Sequence, residues 1–185
     1  MKKLFLPVFI CIFAFSFVYA TEIQADISKN LVRMHIIANS DSEYDQNIKF
    51  FVRNELLKNI DATCDIAMLE DVANQALSKT NAKYIAAASA ERCYVPQKDY
   101  KNIRLPEGIY NCVKVVLGDG KGENWWCIAY PPLCFTEEVF GEMSEDAKHQ
   151  LEDILDKDSL DAIVKSGNVN FRFKIVELVQ KLRFL

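Results

Sequence analysis

The chain has 185 residues, of which 50% are hydrophobic and 26% charged, and its formal net charge is −4. That length and composition suit one globular domain with a real core, and no stretch looks like a low-complexity tail. The acidic balance argues against holding nucleic acid or anionic lipid by bulk charge.

The chain opens on a short positive region, Met1-Lys2-Lys3, then an almost wholly apolar run over residues 4–19, closing on Val18-Tyr19-Ala20. This is the pattern of a secretory signal cleaved after Ala20. The run falls short of the ~20 residues that a spanning helix needs. Cys11, preceded by bulky Phe9 and Ile10, does not fit a lipoprotein signal. The expected organisation is a signal peptide over 1–20, a short linker over 21–30 and a folded domain over 31–185. Cleavage takes Lys2 and Lys3 away, moving the net charge from −4 to −6. Cys64, Cys93, Cys112, Cys127 and Cys134 stay in the mature chain. Outside the cytoplasm such thiols can pair, and their odd number leaves at least one free or bonded to another molecule. A domain of this size can fold without them.

Residues 31–38, LVRMHIIA, carry apolar side chains on both faces and predict a central strand. Residues 39–42 break it, and Ser40 with Glu43 fits a capping box; Asp41 and Ser42 are also good caps. A helix should follow to about Asn59, with Tyr44, Ile48, Phe51, Val52 and Leu56 as its apolar stripe. A second helix should start after Asp65, bury Leu69, Val72, Ala73, Ala76, Leu77 and Thr80, and run on to about Ala90 through an alanine-rich stretch. Cys93-Tyr94-Val95 reads as extended, and Pro96 suggests a sheet edge. Leu105-Pro106-Glu107-Gly108 is a turn. Residues 109–117 and 125–130 are strands, and the glycine-rich loop between them, 118–122, predicts an antiparallel hairpin. Ser144 can cap a helix holding Leu151, Ile154 and Leu155. Val169, Phe171 and Phe173 alternate as in a strand, and residues 175–182 suggest a terminal helix. The order predicts an α+β fold, a mostly antiparallel sheet of four to five strands with helices packed on it.

Chemistry-bearing motifs are few. The glycine loop lacks the Lys-Ser/Thr that opens a helix in a phosphate loop, so it reads as a turn needing positive φ. Cys127 could act as a nucleophile with His35 or His149, oriented by Asn39 or Asp41. It lies within a strand, however, away from any helix N-terminus that would favour a thiolate. No histidine or cysteine pair has metal-ligand spacing. Paired carboxylates such as Glu137-Glu138 and Glu152-Asp153 suit a solvated face. Trp125 and Trp126, adjacent on a strand, should point to opposite faces, either as core or, where uncovered, as a contact surface. Cys127 and Cys134 are expected to be bonded to each other or buried.

Two segments carry more. LVRMHIIANSDSEYDQNIKFFVR (31–53) and GIYNCVKVVLGDGKGENWWCIAYPPLCF (108–135) resemble the two signature blocks of the stage II sporulation protein R family. The most specific part is Gly-x-Gly-x-Asn-Trp-Trp-Cys followed by Pro-Pro-Leu-Cys-Phe. Pro96, Pro106, Gly108 and Tyr110 fit the intervening pattern, and FRFKIVELVQ resembles the family's end. The resemblance implies a protein secreted from the forespore into the space between forespore and mother cell. There it would activate a membrane-embedded aspartic protease that processes the early mother-cell pro-sigma factor. It implies no catalytic residues, cofactor, metal, nucleic acid or small-molecule substrate. Cys64, Cys93 and Cys112, the last of them within the second block, are departures from the family signature, so the resemblance implies no disulfide scheme. The receptor surface is expected at the strand-end turns and the segment after the last strand: Asn39, Ser40, Asp41, Asp119, Lys121, Trp125, Trp126, Pro132 and Phe135. The alternative is a secreted cell-envelope hydrolase using Cys127 or a carboxylate.

Overall fold

The structure, a computed structural model, describes residues 2–59, 65–99, 103–131, 133 and 145–164. These form two compact units. One comprises residues 31–93 and 110–139; the other comprises 1–30, 94–109 and 140–185.

The first unit is built on a four-stranded sheet. Its strands are β1 (Val32–Ile37), β2 (Ala86–Val95), β5 (Gly108–Leu117) and β6 (Asn124–Tyr130), of which β2 and β5 run on at one end into the second unit. They stand in the order β2-β5-β1-β6. The α+β class and the sheet with packed helices are as expected, but the hairpin is not. β1 lies between β5 and β6, parallel to the first and antiparallel to the second. The physical reason lies in β1 itself. Buried on both faces, it needs a partner on each edge, and the glycine loop therefore crosses its end to bring β6 in on the far side. β2 runs antiparallel to β5: Gly118 N donates to Ile85 O (2.9 Å) at one end, and Cys93 is disulfide-bonded to Cys112 towards the other. β2 stands at the end of the strand order, where Pro96 follows it.

Two helices, α2 (Glu43–Asn59) and α3 (Ile66–Ser78), cover one face of the sheet. α2 is capped by Ser42, whose Oγ accepts from Asp45 N (3.2 Å), two residues on from the expected Ser40–Glu43 box. Ile48, Val52 and Leu56 are buried, but Tyr44 is 52% and Phe51 36% exposed, and Asp45 and Lys49 are buried in their stead. The helix is rotated by about one position from the expected stripe, because its inner face also meets the polar turn before it. α3 starts after Asp65, whose carboxylate accepts from Met68 N (2.8 Å). It ends at Ser78 rather than near Ala90. Alanine's helix propensity, a few tenths of a kcal/mol per residue, yields here to sheet pairing. The Asn74 side chain adds to this, accepting from Ala86 N (2.8 Å) and donating to Ala86 O (3.0 Å), so that residues 86–90 are held as strand. The core between helices and sheet is made of Met34, Ile36, Ile48, Val52, Leu56, Leu69, Ala73, Ala76, Leu77, Val115, Leu117 and Cys127.

The second unit holds α1 (Lys2–Asn30), a two-stranded sheet of β3 (Lys98–Asp99) and β4 (Arg104–Leu105), and the short helices α4 (Glu145–Glu152) and α5 (Lys157–Ile163). The side chains along α1 change character at Ala20. Before it, Ile10, Ile12, Phe13, Phe15 and Val18 are 48–75% exposed; from it on, Ala20, Ile23, Gln24 and Ile27 form a buried stripe at helical spacing. Residues 21–30, read from sequence as a linker, are therefore helix. They lie beside α5, with Asp26 accepting from Asp156 N (3.2 Å). By length and composition Ile10–Asn30 of α1 could cross a membrane, and a helix so near the N-terminus also fits a signal peptide. The strand expected at 169–173, the helix at 175–182 and the cap at Ser144 lie outside the described residues.

Candidate functional site

The 39–42 turn and the 118–122 loop, far apart in sequence, are tied into one structure at the end of β1. Lys121 N donates to Asn39 O (3.1 Å) and Gly122 N to Ala38 O (2.9 Å). Asp119 N donates to Asn39 Oδ1 (2.9 Å) and Glu123 N to Asp41 Oδ1 (2.7 Å). Lys49 Nζ reaches from α2 to Glu123 O (3.0 Å) and Gln46 Nε2 to Ser40 O (2.9 Å). Glycine is required within this loop. Gly118 has φ +57°, and a Cβ there would collide with the side chains of Asn39 and Tyr84. At Gly122 a Cβ would strike the Ser40 carbonyl.

Asp45 is the hub behind this turn. Its carboxylate accepts from Ser40 Oγ (2.5 Å), Asn39 Nδ2 (2.8 Å) and Tyr84 Oη (2.7 Å). Burial alone would raise its pKa, but the hydrogen bonds from Ser40, Asn39, Tyr84 and Ser42 outweigh that and hold it below the ordinary carboxylate range. Tyr84 is pushed up, by burial first and by the adjacent Asp45 second. Lys49 is lowered by burial, with Glu123 and Asp41 opposing.

Trp125 and Trp126 do point to opposite faces. Trp125 packs against the helix-side core, with the Arg53 guanidinium 5.3 Å from its ring centre. Trp126 stacks on His35 across the β1–β6 pairing, with ring centres 4.2 Å apart and planes at 7°. His35 is lowered by burial, which Asn124 opposes in part. Arg33, on the same face, is buried; its Nε donates to Cys127 O (3.2 Å) and its guanidinium lies 5.4 Å from the Tyr110 ring centre.

The structure thus brings Asn39, Ser40, Asp41, Asp119 and Lys121 together, but in different roles. Asn39, Ser40 and Asp41 spend their side chains on bonds within the turn. Asp119 and Lys121 carry exposed side chains, 68% and 75%, and among the described residues pair with each other (2.8 Å). Pro132, Cys134 and Phe135 lie outside the described residues, and β6 leads away from the turn. Cys127 is buried and disulfide-bonded, and so offers no thiolate. Asp45 and Tyr84 escaped the sequence reading. A Ser-x-x-Asp spacing, Ser42 to Asp45, was the available signal for the first; for Tyr84 there was none.

The model of the stage II sporulation protein R family matches residues 28–140. A curated protein, stage II sporulation protein R of Bacillus subtilis (strain 168), is 31% identical over 151 residues, covering 70% of this chain and 67% of its own length. No solved structure matches.

Proposed function

Since the chain belongs to the stage II sporulation protein R family, we propose that it is a non-enzymatic extracytoplasmic signal that switches on a membrane-embedded aspartic protease during sporulation. The protease then processes the early mother-cell pro-sigma factor. The chain acts from the space between forespore and mother cell, reached through its N-terminal signal. The family match, which spans both signature segments, is the observation that carries this reading.

Two structural features support it. The change along α1 at Ala20 leaves large apolar side chains such as Phe15 and Val18 exposed before the expected cleavage point and Ile23 and Ile27 buried after it, as suits a segment that enters lipid and is then removed. A hydrolase acting through Cys127 has no nucleophile, because that sulfur is buried in a disulfide. A protein ligand activates its receptor by binding the active state better than the inactive one. In the knitted turn, the exposed pair Asp119–Lys121 is the part left free to make such contacts, on a base fixed by the Asp45 network.

The test is co-production of the full chain with the protease and its pro-sigma substrate in a host lacking all three. Cleaved sigma factor should appear only when the chain is present and exported. Uncleaved substrate alongside folded, exported chain would refute the proposal.

A further inference from the structure

The sheet face opposite α2 and α3 gathers groups of another chemistry. One ring nitrogen of His35, a carboxylate oxygen of Glu91 and the Sγ of Cys93 all lie within 4.8 Å of one another. Cys93 is joined to Cys112 on β5, with Cα atoms 6.2 Å apart. His35 is only 5% exposed, and among the described residues neither ring nitrogen makes a hydrogen bond of good geometry, the Asn124 side chain standing beside it as a weak partner. A buried imidazole so poorly satisfied is costly, and in this site its neighbours are metal-ligand atoms. Its ring is held in place by the stack on Trp126. Glu91 is exposed and forms an ion pair with Lys114 (3.2 Å).

We propose that, when the Cys93–Cys112 disulfide is open, the two thiolates together with His35 and Glu91 bind a zinc ion. Two sulfurs, an imidazole and a carboxylate make a four-ligand set that zinc accepts and that magnesium or calcium would not choose. Zinc bonds of about 2.0–2.3 Å place tetrahedral ligands roughly 3.3–3.8 Å apart, so the cluster must close by about 1 Å. Glu91 and the partly exposed Cys93 can supply that movement, while His35 stays fixed. The metal must share Glu91 with Lys114 or displace it.

A phosphine reductant with one water converts the disulfide to two thiols and becomes the phosphine oxide. Zinc then displaces both thiol protons. The same two cysteines would tie β2 to β5 in either redox state, by a covalent bond in an oxidising compartment and by a metal in a reducing one. This inference does not depend on the signalling role.

The full-length chain, reduced with a phosphine, is titrated with cobalt(II) as a spectroscopic probe and then with zinc. Thiolate-to-cobalt charge-transfer and tetrahedral d–d bands should appear at ~1 equivalent, be displaced by zinc, and be absent before reduction. Cys93→Ser and Cys112→Ser should each abolish the bands, and Glu91→Gln should weaken cobalt binding at least tenfold. Should the reduced chain unfold, zinc must restore its circular dichroism in the parent and not in Cys112→Ser. Bands that persist in a Cys93→Ser/Cys112→Ser double variant would overturn the site by assigning the metal to other cysteines. So would a reduced parent that neither binds nor refolds with metal.

Discussion

The helix-covered core and the knitted turn adjoin in the same unit but are held together by opposite physics. In the core, Ile36, Val52, Leu56 and Leu117 are fully buried and apolar, and what stabilises them is area removed from water. In the turn, Asn39, Ser40, Asp41, Asp45 and Tyr84 are held by directed hydrogen bonds, and Gly118 and Gly122 by the lack of room for a side chain. A core of this kind accepts any apolar side chain of similar volume, whereas the turn accepts very few substitutions. Part of the sequence that carried the family resemblance falls here: Ala38 to Asp41 and Gly118 to Asn124 lie in or beside the turn, while Trp125 to Cys127 belong to strand β6. A specific sequence signature here marks geometric demand at least as much as contact with a partner.

The largest contrast is expected from Leu56. Leu56→Ala should cost ~2–5 kcal/mol through lost burial and a cavity, whereas Leu56→Met should cost less than ~1.5 kcal/mol. Urea denaturation with an unchanged slope checks both. If the two variants are equally damaging, the core is not the volume-governed region described.

In the turn, the smallest addition should be poorly tolerated. Gly118→Ala places a side chain at positive φ, at about 1–2 kcal/mol, and also displaces Asn39 from Asp119 N. The loss should therefore exceed ~2 kcal/mol, for a single methyl group. A Gly118→Ala chain as stable as the parent in the same urea titration would show that the loop can shift away from Asn39.

Asp45 gives a pH-dependent test. Its folded pKa lies below the unfolded value near 3.9, so on acidification the unfolded chain takes up the proton first. The contribution of Asp45 to stability is complete above about pH 4 and is lost as the pH falls through the folded value. Asp45→Asn should be less stable than the parent at pH 7, and the gap should narrow as the pH falls below about 4. A gap constant with pH would mean that the charge of Asp45 does not hold the turn.

Much of the fold could be read from the sequence because it rests on periodicity. The β1 pattern, the bounds of α2, the Asp65 start of α3 and the opposed tryptophans all follow from local spacing. What could not be read is non-local. Nothing in residues 109–130 signals that β1 inserts between two strands joined by a short glycine loop. Nor does the alanine run of 86–90 reveal that Asn74 and β5 hold it as strand. In the knitted turn, Asn39, Ser40, Asp41, Asp119 and Lys121 stand out in the sequence but their structural roles do not, and nothing there marks Asp45 as the hub or Tyr84 as its partner. Asn39 and Asp119 both read as receptor-surface residues, and only the fold shows that the first is spent within the turn while the second is exposed and paired with Lys121.

The smallest effect on stability is expected at that exposed pair. Lys121→Ala removes one exposed ion pair and should change stability by less than ~0.5 kcal/mol.

The central claim is that the turn is a rigid base presenting a signalling surface, and one measurement bears on it most directly. Pro-sigma cleavage is followed in cells producing the protease, the substrate and either the parent chain or Asp119→Ala/Lys121→Ala, with the melting temperature of each purified chain measured alongside. Unchanged melting with a loss of cleavage is the expected result. Full cleavage by the double variant, or a loss that merely tracks a lowered melting temperature, would contradict it.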